Sequence, residues 1–282
     1  MKRFKLFLAI STFALLNTVI VSAQDEDTPL GPGPTSTPIY VGPVLGYNRT
    51  YHSVDLATYN STVPCPIFTN GDNNGYFFGA SIEYILGAAK DSKSSVIGRI
   101  LYNTFPASFS KESGEASTGG FPSLDKDGNP TYSDVLHTNE VKFSTITIEA
   151  MYKFNFMNSL GLVVGPSIDV VSLAKSQEQK MSLVKPANAS FKVNPDAKDI
   201  RYTDFVSGNS NPRGIILKEG DIAGSGIRFG LKAGIQYEII TKSNMYIVPS
   251  LSYNLGLTSI SSDQTWRVSA IQVGVDIRFA IK

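Results

Sequence analysis

His52 and His137 are the only imidazoles in this 282-residue chain, and each has a hydroxyl and a carboxylate close by in sequence: Ser53 and Asp55 beside the first, Ser133 and Asp134 beside the second. A serine, a histidine and an acid are the parts of an activated nucleophile, provided the base comes within hydrogen-bond reach of the hydroxyl. The stretch "LDKDGNP" (124 to 130) sets Asp125, Asp127 and Asn129 at the alternate spacing of a calcium loop. No bidentate acid follows at the required position, and Asp-Gly-Asn-Pro is a turn sequence in its own right. Cys65, in "TVPCPIF", is the single cysteine, has no partner for an internal disulfide and is given no role. Asn48-Arg49-Thr50 matches the glycosylation acceptor triplet. The residues that could do chemistry are therefore few and scattered. Both histidines are read as exposed loop residues, and no catalytic, cofactor or metal site is assigned.

The elements that must position these residues are strands. In "GIRFGLKAGIQYEI" (226 to 239), Ile227, Phe229, Leu231, Ala233, Ile235, Tyr237 and Ile239 alternate with Arg228, Gly230, Lys232, Gly234, Gln236 and Glu238. Strict period two is the signature of a β-strand with two different faces. The run is longer than the usual globular strand of about 5–6 residues. Seven further segments show strand character: 39–48, 75–86, 95–105, 141–156, 160–173, 245–257 and 266–281. A phase shift near Ser144 in the fourth strand of the chain predicts a β-bulge.

The opening "MKRFKLFLAISTFALLNTVIVSAQ" has a basic start, an apolar run and the small-residue pattern Val21-Ser22-Ala23, which together read as a secretory signal peptide over residues 1–23. Residues 24–38, acidic and then rich in Pro and Gly, read as an extended periplasmic linker, and 39–282 as one β domain. The formal charge falls from +1 to −2 once Lys2, Arg3 and Lys5 leave with the signal peptide, which gives no sign of a nucleic-acid partner. Beyond the signal no apolar run approaches the ~18 residues of a spanning helix.

Link lengths decide what the two-faced strands are for. Short turns follow the second, fourth and sixth strand segments, near Asp91, Asn158 and Ser243. Long polar stretches follow the first, third and fifth, over 49–74, 106–140 and 174–225. Such parity is the mark of an up-and-down barrel in an outer membrane, with short periplasmic turns and long external loops. Lipid also demands closure, since an open sheet edge leaves backbone groups unsatisfied. The expected fold is all-β: an eight-stranded antiparallel up-and-down transmembrane β-barrel.

With the apolar faces on lipid, the other faces line a lumen that eight strands leave only wide enough for side chains. Glu83, Glu149, Asp169, Glu238 and Asp276 point inward together with Arg99, Lys153, Arg228, Lys232 and Arg278, and this balance suits a packed ion-pair plug rather than a selective pore. Inward glycines (Gly42, Gly46, Gly79, Gly161, Gly165, Gly230, Gly234 and Gly274) either make room for long basic chains or relieve crowding in a tight barrel. Tyr76, Tyr84, Tyr152, Phe154, Phe156, Tyr237, Tyr246, Trp266 and Phe279 are candidates for the interfacial aromatic girdles.

The last strand, "QVGVDIRF", places Gln272, Gly274, Ile277 and Phe279 in a pattern that resembles the C-terminal signal read by the outer-membrane assembly machinery, with the departure that Ala280, Ile281 and Lys282 follow the aromatic. With "FGLKAGIQYEI" and the eight-strand plan, the chain from Ile39 onward resembles the outer-membrane β-barrel domain family common in Bacteroidota, the PorT-like group, and the transmembrane barrels of OmpA and OmpX. The resemblance implies an exported outer-membrane location, lipid and the barrel-assembly machinery as partners, and no defined activity. The leading expectation is a non-enzymatic protein with a closed lumen, no cofactor, and either an envelope-structural role or loops that bind an extracellular or envelope protein. A narrow solute channel and a rim hydrolase or acyltransferase acting on lipid A or peptide through His52 or His137 are the alternatives.

Overall fold

The computed structural model describes residues 39–56, 68–86, 92–113, 120–157, 159–193, 201–205, 211–224, 226–241, 245–262 and 264–281. Residues 1–38, expected to be a signal peptide and linker, together with Cys65 and the expected turn residues Asp91, Asn158 and Ser243, lie outside them. The strands are β1 (Ile39–Leu56), β2 (Phe68–Ile85), β3 (Ser94–Thr104), β4 (Ala107–Ser113), β5 (Phe121–Leu124), β6 (Pro130–Asn155), β7 (Leu160–Lys185), β8 (Arg201–Phe205), β9 (Pro212–Asp221), β10 (Ile227–Tyr237), β11 (Ile239–Ile240), β12 (Met245–Gly256) and β13 (Trp266–Ala280).

Eight of them close a ring. β1 pairs β2, which pairs β3, and the ladder runs on through β6, β7, β10, β12 and β13 back to β1, antiparallel at every step. The closing seam keeps one register from Tyr40↔Ala280 to Val54↔Trp266, with a gap at Gly42 and Pro43. The fold is thus an eight-stranded antiparallel up-and-down barrel.

The two faces of the wall invert the rule for a protein in water. Leu45, Phe78, Ile100, Ile148, Leu162, Leu231, Leu251 and Val273, one from each wall strand, stand outward and exposed. Arg228, Lys232, Glu149 and Asp276 on the inward face are at most 1% exposed. Charged side chains inside and a continuous apolar belt outside are stable together only when hydrocarbon surrounds the belt. The ion pair of Arg49 and Asp72, which faces outward on β1 and β2, marks the belt's outer limit.

Beyond that limit the wall continues. β6 and β7 are 26 residues each, roughly 85 Å of strand at about 3.3 Å per residue, against an apolar band about 25 Å tall even after allowing for tilt. β1 and β2 stay paired out to Leu56↔Phe68. β4 continues β3 along β6, β9 adds to β7, β8 adds to β9, and β5 folds back on the start of β6. The expectation that 49–74, 106–140 and 174–225 are loops is therefore corrected: much of each is strand, forming an outer β-extension. Inward alternation persists there (Asn48, Thr50, His52 and Val54 on β1), but the outward face meets water and becomes polar, which removes the apolar contrast that marks a strand in the belt.

The bulge expected near Ser144 is present as a register shift between Ser144 and Thr145. "LDKDGNP" is the β5–β6 hairpin turn. Asp125 accepts the backbone N–H groups of Asp127 and Asn129 at 2.8 Å, and Gly128 has φ of 84°. Those N–H bonds, Asn129's first, hold the Asp125 carboxyl below its usual range.

Candidate functional site

All ten charged residues expected inward are buried, and eight of them form one chain of alternating sign. At the periplasmic end Glu238 pairs with Lys153, Lys153 with Glu83, and Glu83 with Arg278. Arg278 reaches Asp276 at 2.6 Å, and Arg99 holds Asp276 at 2.9 Å and Glu149 at 3.6 Å. Lys232 ends the chain on Glu149 at 2.7 Å. The two remaining charges, Arg228 and Asp169, pair with each other. Every carboxylate thus has a cation and every cation a carboxylate, which is what a low-dielectric interior requires if none is to be left at a cost of several kcal/mol. The contributors come from β2, β3, β6, β10 and β13, together with Glu238 just after β10, so the chain crosses the lumen from wall to wall.

Local sequence makes room for it. Phe77 stands inside the lumen, and a Cβ at Gly46 would come within 2.3 Å of its ring and one at Gly274 within 2.6 Å. The same ring lies 5.6 Å beneath the Lys232 ammonium. Of the two roles expected for the inward glycines, Gly161 makes room for side chains, since a Cβ there would meet Asn155 Oδ1 at 2.4 Å and Lys153 Cγ at 3.2 Å. At Gly42, Gly79, Gly165 and Gly234 the close contact is the backbone of the neighbouring strand, so these positions relieve crowding between strands in a tight barrel.

A tier of amides and hydroxyls lies above the charges. Gln272 donates to Asn48 at 2.7 Å, Asn103 donates to Thr147 at 2.7 Å, and Arg228 reaches Asn254 at 3.1 Å. Above it an apolar tier closes the bore, built from Phe68, Phe105, Phe109, Phe143, Val54, Ile222, Ile260 and Trp266. A second apolar cluster in the extension joins Val135, Met181, Leu183, Ala189 and Phe191, with Phe121, Tyr202, Ile215 and Leu217 packed against it.

Both histidines are inside this structure, which corrects their assignment to exposed loops. His52 is buried on β1 beyond the apolar belt: its Nδ1 accepts from the Trp266 indole at 3.0 Å and its Nε2 lies 3.0 Å from the Phe105 carbonyl. Both nitrogens are satisfied by the Nε2–H tautomer, and burial pushes the pKa down to about 3. Ser53 points to the other side of the sheet from His52, and the Asp55 side chain lies outside the described residues. His137 is buried on β6 with neither nitrogen partnered, and burial lowers its pKa. Ser133 lies on the same face four residues away, roughly 13 Å along a strand, and bonds Ser123 at 2.6 Å instead. Among the described residues, neither histidine is hydrogen-bonded to a nucleophile.

Two aromatics assigned to the girdles are also placed differently. Trp266 is 1% exposed, inside the barrel in phase with Gln272 and Asp276, and Tyr246 packs edge-on against inward Tyr40 at 5.1 Å. Tyr76, Tyr84, Tyr152, Phe154, Phe156 and Phe279 do stand outward. Asn48, the glycosylation-type asparagine, is fully buried with its amide bonded across the lumen. Below the ion pairs the periplasmic mouth holds a shallow cavity lined by Tyr40, Tyr246, Lys93, Lys153, Glu83 and Glu238.

No family model and no curated protein matches this chain. Solved structures that resemble it include Ail, the attachment invasion locus protein of Yersinia pestis (12% identity over 85% of this chain and 98% of that one, TM-score 0.32). Neisserial surface protein A follows at 13% identity over 86% and 97%, TM-score 0.33. The outer-membrane protease OmpT of Escherichia coli shares 9% identity over 87% and 98%, TM-score 0.34. Likeness this distant assigns no activity.

Proposed function

We infer that this protein is a non-enzymatic outer-membrane barrel whose sealed transmembrane part is a rigid mount for the outer β-extension, and that the extension carries recognition. The carrying observation is the eight-residue charge chain from Glu238 to Lys232, capped by the apolar tier around Trp266. A conducting pore needs ions to enter and leave, whereas here every lumenal charge is already neutralised by a neighbour. The signal peptide and the apolar belt support an outer-membrane location, with lipid and the barrel-assembly machinery as partners. Gln272, Gly274, Ile277 and Phe279 of β13 support membership of the PorT-like group. Recognition concentrates on structures held out by a rigid scaffold, which turns the expected loop-based binding of an extracellular or envelope protein into binding by the β-extension. Neither His52 nor His137 is hydrogen-bonded to a hydroxyl among the described residues, which speaks against hydrolase or acyltransferase chemistry.

The test is single-channel recording of refolded protein in planar bilayers. The expected trace is silent. Reproducible open-channel steps carried by the purified monomer would overturn the sealed-mount reading in favour of a narrow channel.

A further inference from the structure

The inward face of β6 reads Val135, His137, Asn139, Val141 and Phe143, so a polar tier separates the two apolar clusters. Opposite it on β7 stand Gln179, in register with Asn139, and Met181, in register with His137. His137 and Asn139 are at most 1% exposed and Gln179 is 2% exposed. Neither nitrogen of His137 has a hydrogen-bond partner, and Asn139 Oδ1 and Gln179 Oε1 have none either. The joint between barrel and extension thus holds four buried polar atoms without a partner.

The charged residues nearest to this imidazole in strand register are basic. On β4 the register partner of His137 is Lys111, and on β9 the register partner of Gln179 is Lys218. Arg213 of β9 donates to the Leu183 carbonyl at 2.8 Å. The acids of the neighbouring strands, Asp134 and Glu140 on β6, Glu178 on β7, Glu112 on β4 and Glu219 and Asp221 on β9, fall at the alternate positions and face the other side of the sheet, and Asp204 of β8 is paired with Lys180. Neither Phe121–Leu124 nor residues 189–191 bring a charge. No carboxylate among the described residues of the inward face stands ready to receive an imidazolium.

We propose that His137 makes the outer extension acid-labile: protonation loosens the cover formed by β5, residues 189–191 and the β8–β9 pair from the β6–β7 wall, while the barrel below stays closed. The cause is local. A charge on His137 would be buried between two apolar clusters with no carboxylate of the described inward face beside it, and opening the cover lets water reach it. The buried cluster of Val135, Met181, Leu183 and Phe191 is uncovered in the same step. The depressed pKa of His137 gives the sign. The open state takes up the proton near the ordinary value of about 6.5 and the closed state only at lower pH. Closure is at full strength above about 6.5 and weakens as the pH falls below it.

The test is amide hydrogen exchange on the full chain refolded in detergent, compared at pH about 7.5 and about 5 after correction for intrinsic rates. In the wild type, exchange in β5 and β9 should quicken by up to about tenfold for each pH unit below about 6.5, with the belt strands unchanged. His137→Phe should remove that dependence, and His137→Gln provides the same test if phenylalanine does not fit. His52→Gln should leave it intact, because His52 remains neutral across this range. A wild type with no pH dependence in β5 and β9, or one retained in both His137 variants, overturns the proposal.

Discussion

Removing Lys232 alone should cost far more than removing it together with its partner. Lys232 Nζ lies 2.7 Å from Glu149 Oε1, both side chains being essentially without exposure. In Lys232→Met the Glu149 carboxylate keeps only Arg99, at 3.6 Å, and its Oε2 has no hydrogen bond. Two unit charges 4 Å apart at an effective dielectric of 20 attract by about 4 kcal/mol, and losing one partner of a buried pair costs about 3–5 kcal/mol. A cost of that order is expected, with a smaller share from the lost contact with Phe77. In the double variant Lys232→Met, Glu149→Gln no carboxylate is orphaned. Arg99 still holds both oxygens of Asp276, at 3.1 and 2.9 Å, so the charge chain simply ends there. Stability should return to within about 1 kcal/mol of wild type, a coupling of roughly 2–4 kcal/mol. Denaturant titration in lipid vesicles, scored by heat-modifiable gel migration, measures all three proteins. A double variant as unstable as the single one would show that Lys232 acts by filling space, and a silent single variant would show that Glu149 is not charged in the fold.

Leu231→Arg, one position along and on the lipid face, should cost roughly 2–4 kcal/mol and impair insertion into bilayers, whereas full folding without detergent or lipid would refute the belt. Cysteine placed at exposed Asn188 should react with an impermeant reagent on intact cells and cysteine at Lys93 should not; labelling at Lys93 alone would invert the topology.

The barrel was legible because in lipid the contrast between faces is extreme. Phe229, Leu231 and Ala233 on one side and Arg228 and Lys232 on the other make period two plain, the link lengths then choose a barrel wall over a half-buried soluble sheet, and all ten inward charges follow from phase. Their partners do not. Lys232 meets Glu149 and not Asp276 because β6 stands next but one to β10 around the ring, with side-chain-free Gly165 of β7 opposite Lys232 between them, and Asp276 is taken by Arg99 and Arg278. Height across a barrel depends on stagger between strands, which no single strand encodes.

The outer extension escaped notice for a related reason. Outside the belt both faces of the wall are partly polar: the outward one meets water, and the inward one carries Asn139, Gln177 and Gln179 between its apolar tiers. An apolar-against-polar search stops where lipid stops, so it ended the first strand at Asn48 although the chain stays extended to Leu56. Phase was still available. Trp266 lies an even number of residues from Asp276, and His52 from Asn48, so continuing the alternation beyond the belt would have placed both inside. A histidine four residues past a lumenal asparagine is better assigned by parity than by the polarity of its neighbours, and the bond from Trp266 to His52 is where two such continuations meet.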